Sequence, residues 1–187
     1  MPTPPARPAA RYSSVAIALH WLLALAIASS FSVGLYMSDL PLSPTRLKLY
    51  NWLKWAGITI LTLSLIRLLW RLTHRPPVDL PMPAWQRRTA HATHLALYAL
   101  FFAVPLAGWS YSSAAGFPVV VYGVLPLPDF VPVSRELAEV LKGLHKFLAF
   151  ALALLVLGHI GGAAKHQFID HDGLLSRMWP NKAAPLP

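Results

Sequence analysis

The chain has 187 residues, of which 56% are hydrophobic and 12% charged, with a formal net charge of +9. That length suits one domain, and so apolar a composition excludes a disordered chain and points to a membrane protein. Cysteine is absent, which excludes disulfides, cysteine-held iron–sulfur clusters and covalent haem attachment, and the basic residues are scattered at segment ends as in membrane loops, with no run suited to nucleic acid.

Residues 1–11, MPTPPARPAAR, are rich in proline and read as a disordered lead. From Val15 to Tyr36 no charged residue occurs, enough for a first transmembrane helix over about 13–37. Pro41 and Pro44 lie in the first turn. A second helix is expected over about 50–72, where Lys54, Arg67 and Arg71 stand toward the ends and can snorkel. The connection THRPPVDLPMPAWQRR is too rich in proline and charge to span. A third helix is expected over 89–109, with Pro105 as a kink. The apolar stretch 110–133 is broken by Gly116, Gly123 and four prolines, which suits an interfacial or re-entrant cap better than a further span. Ser134 is a plausible N-cap for a fourth helix over 136–165. A polar segment closes the domain near residue 180, and residues 181–187 read as a flexible tail. The expected fold is all-α, an integral membrane four-helix bundle with an interfacial cap between helices 3 and 4.

Four spans put both termini on one side. Arg7, Arg11, Arg71, Arg75, Arg87, Arg88, Lys165, Arg177 and Lys182 fall there with only Asp79, Asp170 and Asp172, so the positive-inside bias makes the termini cytoplasmic.

The histidines carry the chemistry. His145 and His159 both lie on the fourth span, about four turns or roughly 21 Å apart on one face, which places one near each membrane surface. His20, near the inner end of the first span, is at the depth of His159, and two neutral imidazoles on neighbouring helices can hold a six-coordinate haem b. His94 enters at similar depth and is read as supporting the ligands or facing a quinone. His91, nearer the headgroups, is read as solvated. Arg67 is the candidate partner for haem propionates, and Arg71 an interfacial anchor. The tryptophans at span ends are read as the usual interfacial belt.

The strings RYSSVAIALHW, GITILTLSLIRLLWRL, AHATHLALYALFFAVPLAGW, LHKFLAFALALLVLGH and HQFIDHDGLLSRMWP, in that order, resemble the bacterial cytochrome b561 family, which includes small superoxide-oxidising cytochromes and relatives of the hydrogenase cytochrome b subunit. The resemblance covers about Tyr12 to Pro180. It implies a four-helix bundle with two haem b groups, the cytoplasmic-side one held by His20 and His159 and the periplasmic-side one by His145, and it sets His166 near the quinone end. The chain departs from the pattern in helix 2, where the family has a histidine four residues before a glycine and this chain has Leu53 before Gly57. Leucine has no lone pair to give iron. The outer haem is then absent, held by His145 alone, or held by a substitute such as Lys54, Asn51 or Met37. The function this implies is that of an inner-membrane b-type cytochrome carrying single electrons between a quinone and a second redox partner, possibly superoxide. The alternative is a membrane anchor or electron-relay subunit for a separate periplasmic redox protein, with the outer haem lost or altered.

Overall fold

A computed structural model of the chain describes residues 11–180; the lead over 1–10 and the tail over 181–187 lie outside the described residues. Four long helices dominate: α1 (Ser14–Ser38), α2 (Pro44–Thr73), α3 (Ala84–Ala114) and α4 (Arg135–Lys165). All four are long and apolar enough to cross a membrane. The shortest, α1 with 25 residues, measures about 37 Å against a hydrocarbon core of about 30 Å.

Serine side chains begin three of them. Ser13, Ser43 and Ser134 accept hydrogen bonds from the backbone N–H groups of Ala16, Arg46 and Leu137, satisfying donors that have no partner within the helix. At the second of these Pro44 takes the first helical position, where its missing N–H costs nothing. Helix α2 therefore starts six residues before the expected 50. Helix α3 exceeds expectation at both ends, running through Pro105 and on to Ala114. It stops where Gly116 adopts a φ of +74°, and the Phe117 N–H bonds back to the Ser112 carbonyl at 3.0 Å, a glycine-dependent helix terminus.

The cap between α3 and α4 contains a short hairpin, β1 (Val120–Val121) antiparallel to β2 (Leu125–Pro126). Its tip, Tyr122 and Gly123, has φ of +53° and +74°, the two positive values that a type I′ turn requires. The hairpin is held onto α2. The Trp55 indole donates to the Val120 carbonyl at 2.7 Å, the Tyr122 and Thr59 hydroxyls meet at 2.7 Å, and Lys54 donates to the Phe117 and Pro118 carbonyls at 3.1 and 3.4 Å.

Helices pack in chain order, α1 on α2, α2 on α3 and α3 on α4, the last pair making the most extensive contact. Side chains bridge α1 and α4, among them Phe31 and Phe150 with ring centres 5.5 Å apart. Beyond α4 a π-helical turn (His166–Asp170) and a 3-10 turn (Leu175–Arg177) fold the chain back under the end of the bundle where α1 begins. There Arg177, only 4% exposed, donates to the Val78 carbonyl. It is therefore a buried strut as well as one of the basic residues counted at that end.

Candidate haem site

Three imidazoles converge between α1, α3 and α4. The ring centres of His20 and His159 lie 6.2 Å apart at an interplanar angle of 67°, and those of His94 and His159 lie 5.4 Å apart. A ring nitrogen sits about 1.1 Å from its ring centre and binds a first-row metal at about 2.0–2.1 Å. Two rings on opposite sides of one metal therefore have centres about 6.3 Å apart. The His20–His159 pair fits that span, and the His94–His159 pair is too close for it.

Among the described residues, no hydrogen bond engages the side chains of His20, His94 or His159, whereas His74, His91, His145 and His166 each have one. Half-buried imidazoles without partners are the groups that need an occupant. The donor set and the ring separation fit the iron of a haem.

Arg67 reaches this place from α2. Its Nε donates to the Tyr98 hydroxyl at 3.1 Å, and its charge is within electrostatic reach of all three rings. Tyr98 lies one turn beyond His94 on α3. Nothing in its local sequence distinguishes it from the other tyrosines, so only the fold reveals that it orients Arg67. Trp21 does more than stand at a span end. Trp21 packs edge-on against His20 with ring centres 5.6 Å apart, donates to the Met178 carbonyl at 2.9 Å and meets Trp179. The returning tail thereby covers the His20 side of the cluster.

His145 lies apart from the three. Its Nδ1 is 2.9 Å from the Val104 carbonyl, and since a carbonyl can only accept, the proton is on Nδ1 and the Nε2 lone pair is free in the neutral ring. The ring lies against Gly108, where an added Cβ would come within 3.0 Å of it. Leu53 instead faces α1, with a methyl 4.0 Å from the position a Gly34 Cβ would take. Of the possible substitutes, the Lys54 amine is committed to the cap carbonyls, Asn51 is exposed and Met37 is buried.

His166 is more constrained than a solvated boundary residue. Its Nδ1 is 2.5 Å from Asp172 and 3.4 Å from Asp170, with the side chain 12% exposed. The left-handed conformation of His171, φ +49°, turns the chain so that Asp172 comes back to the ring. Lys165 pairs with Asp170 at 2.6 Å. His91, as expected of an interfacial residue, is exposed and meets Asp79 at 3.2 Å.

The family model described as prokaryotic cytochrome b561 matches residues 11–181. The chain belongs to the prokaryotic cytochrome b561 family. Cytochrome b561 homolog 2 of Escherichia coli (strain K12) is 36% identical over 170 residues, 90% of each chain. Cytochrome b561 homolog 1 of the same organism is 31% identical over 180 residues, covering 92% of this chain and 98% of the relative. The probable superoxide oxidase CybB of Yersinia pestis is 30% identical over 179 residues, covering 92% and 97%. As a cytochrome b561 the chain is a multi-pass protein of the bacterial inner membrane, a haem-binding b-type cytochrome of electron transport.

Proposed function

We propose that the protein holds one bis-histidine haem b between His20 and His159 and carries single electrons between a quinone and a second redox partner, for which superoxide is a candidate. The observation that supports this most is the 6.2 Å separation of two imidazole centres that have no other partner. Haem supplies reversible one-electron chemistry when bound. The chain's own contribution is the pair of imidazoles of His20 and His159, which would hold the iron, and the Arg67 guanidinium, steadied by Tyr98, which would offer a counter-charge to porphyrin carboxylates. His94, too close to His159 to share a metal across it, supports the ligands from α3. His145, with Nε2 free, has no histidine opposite on α2, so the reading assigns no bis-histidine haem to the outer level.

At the inner end His166 is the proposed contact for a quinone. Asp172 positions the ring and accepts from Nδ1–H, which leaves Nε2 to hydrogen-bond a quinone carbonyl and exchange a proton with it. The superoxide assignment is supported by the likeness to the Yersinia pestis protein. The anchoring or relay alternative is not favoured, since the chain matches at least 90% of the length of each of these relatives, all named as cytochromes or an oxidase.

The test is anaerobic mixing of the dithionite-reduced, purified protein with a short-chain ubiquinone, followed by the haem absorption bands. The bands should return to the oxidised form, and His166→Ala should slow that return about a hundredfold while leaving the spectrum unchanged. Failure of quinone to oxidise the unaltered protein would contradict the quinone assignment. A haem-to-protein ratio of two would contradict the single haem.

A further inference from the structure

The cap hairpin leans on α2 well down that helix. Trp55 and Thr59 hold Val120 and Tyr122, and Thr59 stands midway along α2, whose 30 residues measure about 45 Å. A hydrocarbon core of about 30 Å, placed anywhere along that length, covers the midpoint to a depth of at least about 7 Å. The chain reaches this level by turning back after α3. Phe117 and Pro118 lie at Lys54, and Tyr122 lies more than one turn further down α2, at Thr59. The charges of Arg46, Lys48 and Lys54 all stand between that level and the start of α2.

The hairpin suits an apolar solvent. No charged residue occurs over 110–128, and the one polar side chain over 117–128 is that of Tyr122, whose hydroxyl is paired with that of Thr59. Lipid also demands that backbone groups find partners within the protein. The N–H groups of Gly123, Val124 and Leu127 donate to the carbonyls of Val120, Val121 and Val119, and the carbonyls of Phe117, Pro118 and Val120 accept from Lys54 and Trp55. Pro118, Pro126 and Pro128 have no N–H to satisfy. Outward the hairpin presents Tyr122, Val124 and Leu125, which are 62%, 83% and 59% exposed, a surface that is costly to leave in water.

We propose that the hairpin over 119–127 is a re-entrant element inserted beside α2 in the leaflet next to the α1–α2 turn, with Val124, Leu125 and the Tyr122 ring packed on lipid acyl chains. A water-soluble partner cannot reach that depth. The lipid contact gives the cap an anchor of its own, in addition to its hydrogen bonds to α2.

The absence of cysteine allows a nitroxide to be attached at single positions of the purified, haem-loaded full chain in bilayers of phosphatidylcholine and phosphatidylglycerol. Power saturation then compares collisions with oxygen, which concentrates in hydrocarbon, and with a nickel chelate, which stays in water. Labels on Val124→Cys and, separately, Leu125→Cys should collide more with oxygen than with nickel, as should one on Leu25→Cys, exposed on α1. A label on Leu42→Cys, exposed in the α1–α2 turn, should show the reverse. All four positions are exposed, so the haem spectrum should be unchanged in each variant. Nickel-dominated collisions at both hairpin labels would put the hairpin in water and overturn the proposal. Protection of both from either reagent would mean that a second protein surface covers the hairpin, and would overturn it too.

Discussion

His145 can lie against α3 because residue 108 has no side chain. A methyl group there would stand 3.0 Å from two ring atoms, tighter than most such contacts, so the ring would have to shift by a few tenths of an ångström and strain its bond to the Val104 carbonyl. Gly108→Ala should therefore lower stability by about 1–2 kcal/mol, read as a lower melting temperature in detergent. An unchanged melting temperature would mean that the ring rotates away freely. Arg67 presents the complementary case, a charge kept in place by a neutral neighbour. Removing the Tyr98 hydroxyl in Tyr98→Phe deletes its hydrogen bond to Nε and should cost about 1.5–3 kcal/mol, as bonds to charged groups do. The same variant should shift the haem midpoint potential, a readout that a merely structural bond would leave unmoved.

At the scale of elements, the hairpin in the cap is fastened to the N-terminal half of α2 rather than floating above it. Tyr122→Phe and Thr59→Val each break the same 2.7 Å contact and should each cost about 0.5–1.5 kcal/mol. The double variant should cost little more than Thr59→Val alone, which already removes that contact together with the Thr59 hydroxyl's bond to the Trp55 carbonyl. Full additivity in chemical unfolding would show that the contact is not formed. Four apolar runs made the four helices legible from the sequence, as did Ser134 before the fourth. The early start of α2 was hidden because Lys48 and Arg46 interrupt the apolar pattern, although Ser43 followed by Pro44 is a sound start signal. The hairpin was hidden inside a proline-broken apolar stretch, where Val119–Val121 followed by Tyr-Gly was its only local sign. Of the site, His20 and His159 could be brought together by depth alone. The roles of Tyr98, Asp172 and Trp21 depend on packing between residues far apart in sequence, and periodicity carries no such information.

At the scale of the whole molecule, a ligand that binds only the folded bundle adds to its stability. Extraction of haem should accordingly lower the melting temperature, with recovery on adding haemin. Equal stability with and without the group would mean that the helices pack without its help. The distribution of arginines predicts an orientation with both termini on the inner side. A fluorescent-protein fusion that matures only in the cytoplasm should light up at the C-terminus, and a dark fusion whose full-length product is present would invert the topology.

The central claim concerns the two rings at 6.2 Å, and the reduced-minus-oxidised optical spectrum tests it most directly. His20→Ala and His159→Ala should each abolish the low-spin b-type signal in membranes that still contain the protein, while His94→Ala should retain it. Persistence of the low-spin signal in both His20→Ala and His159→Ala would contradict the assignment of the axial ligands.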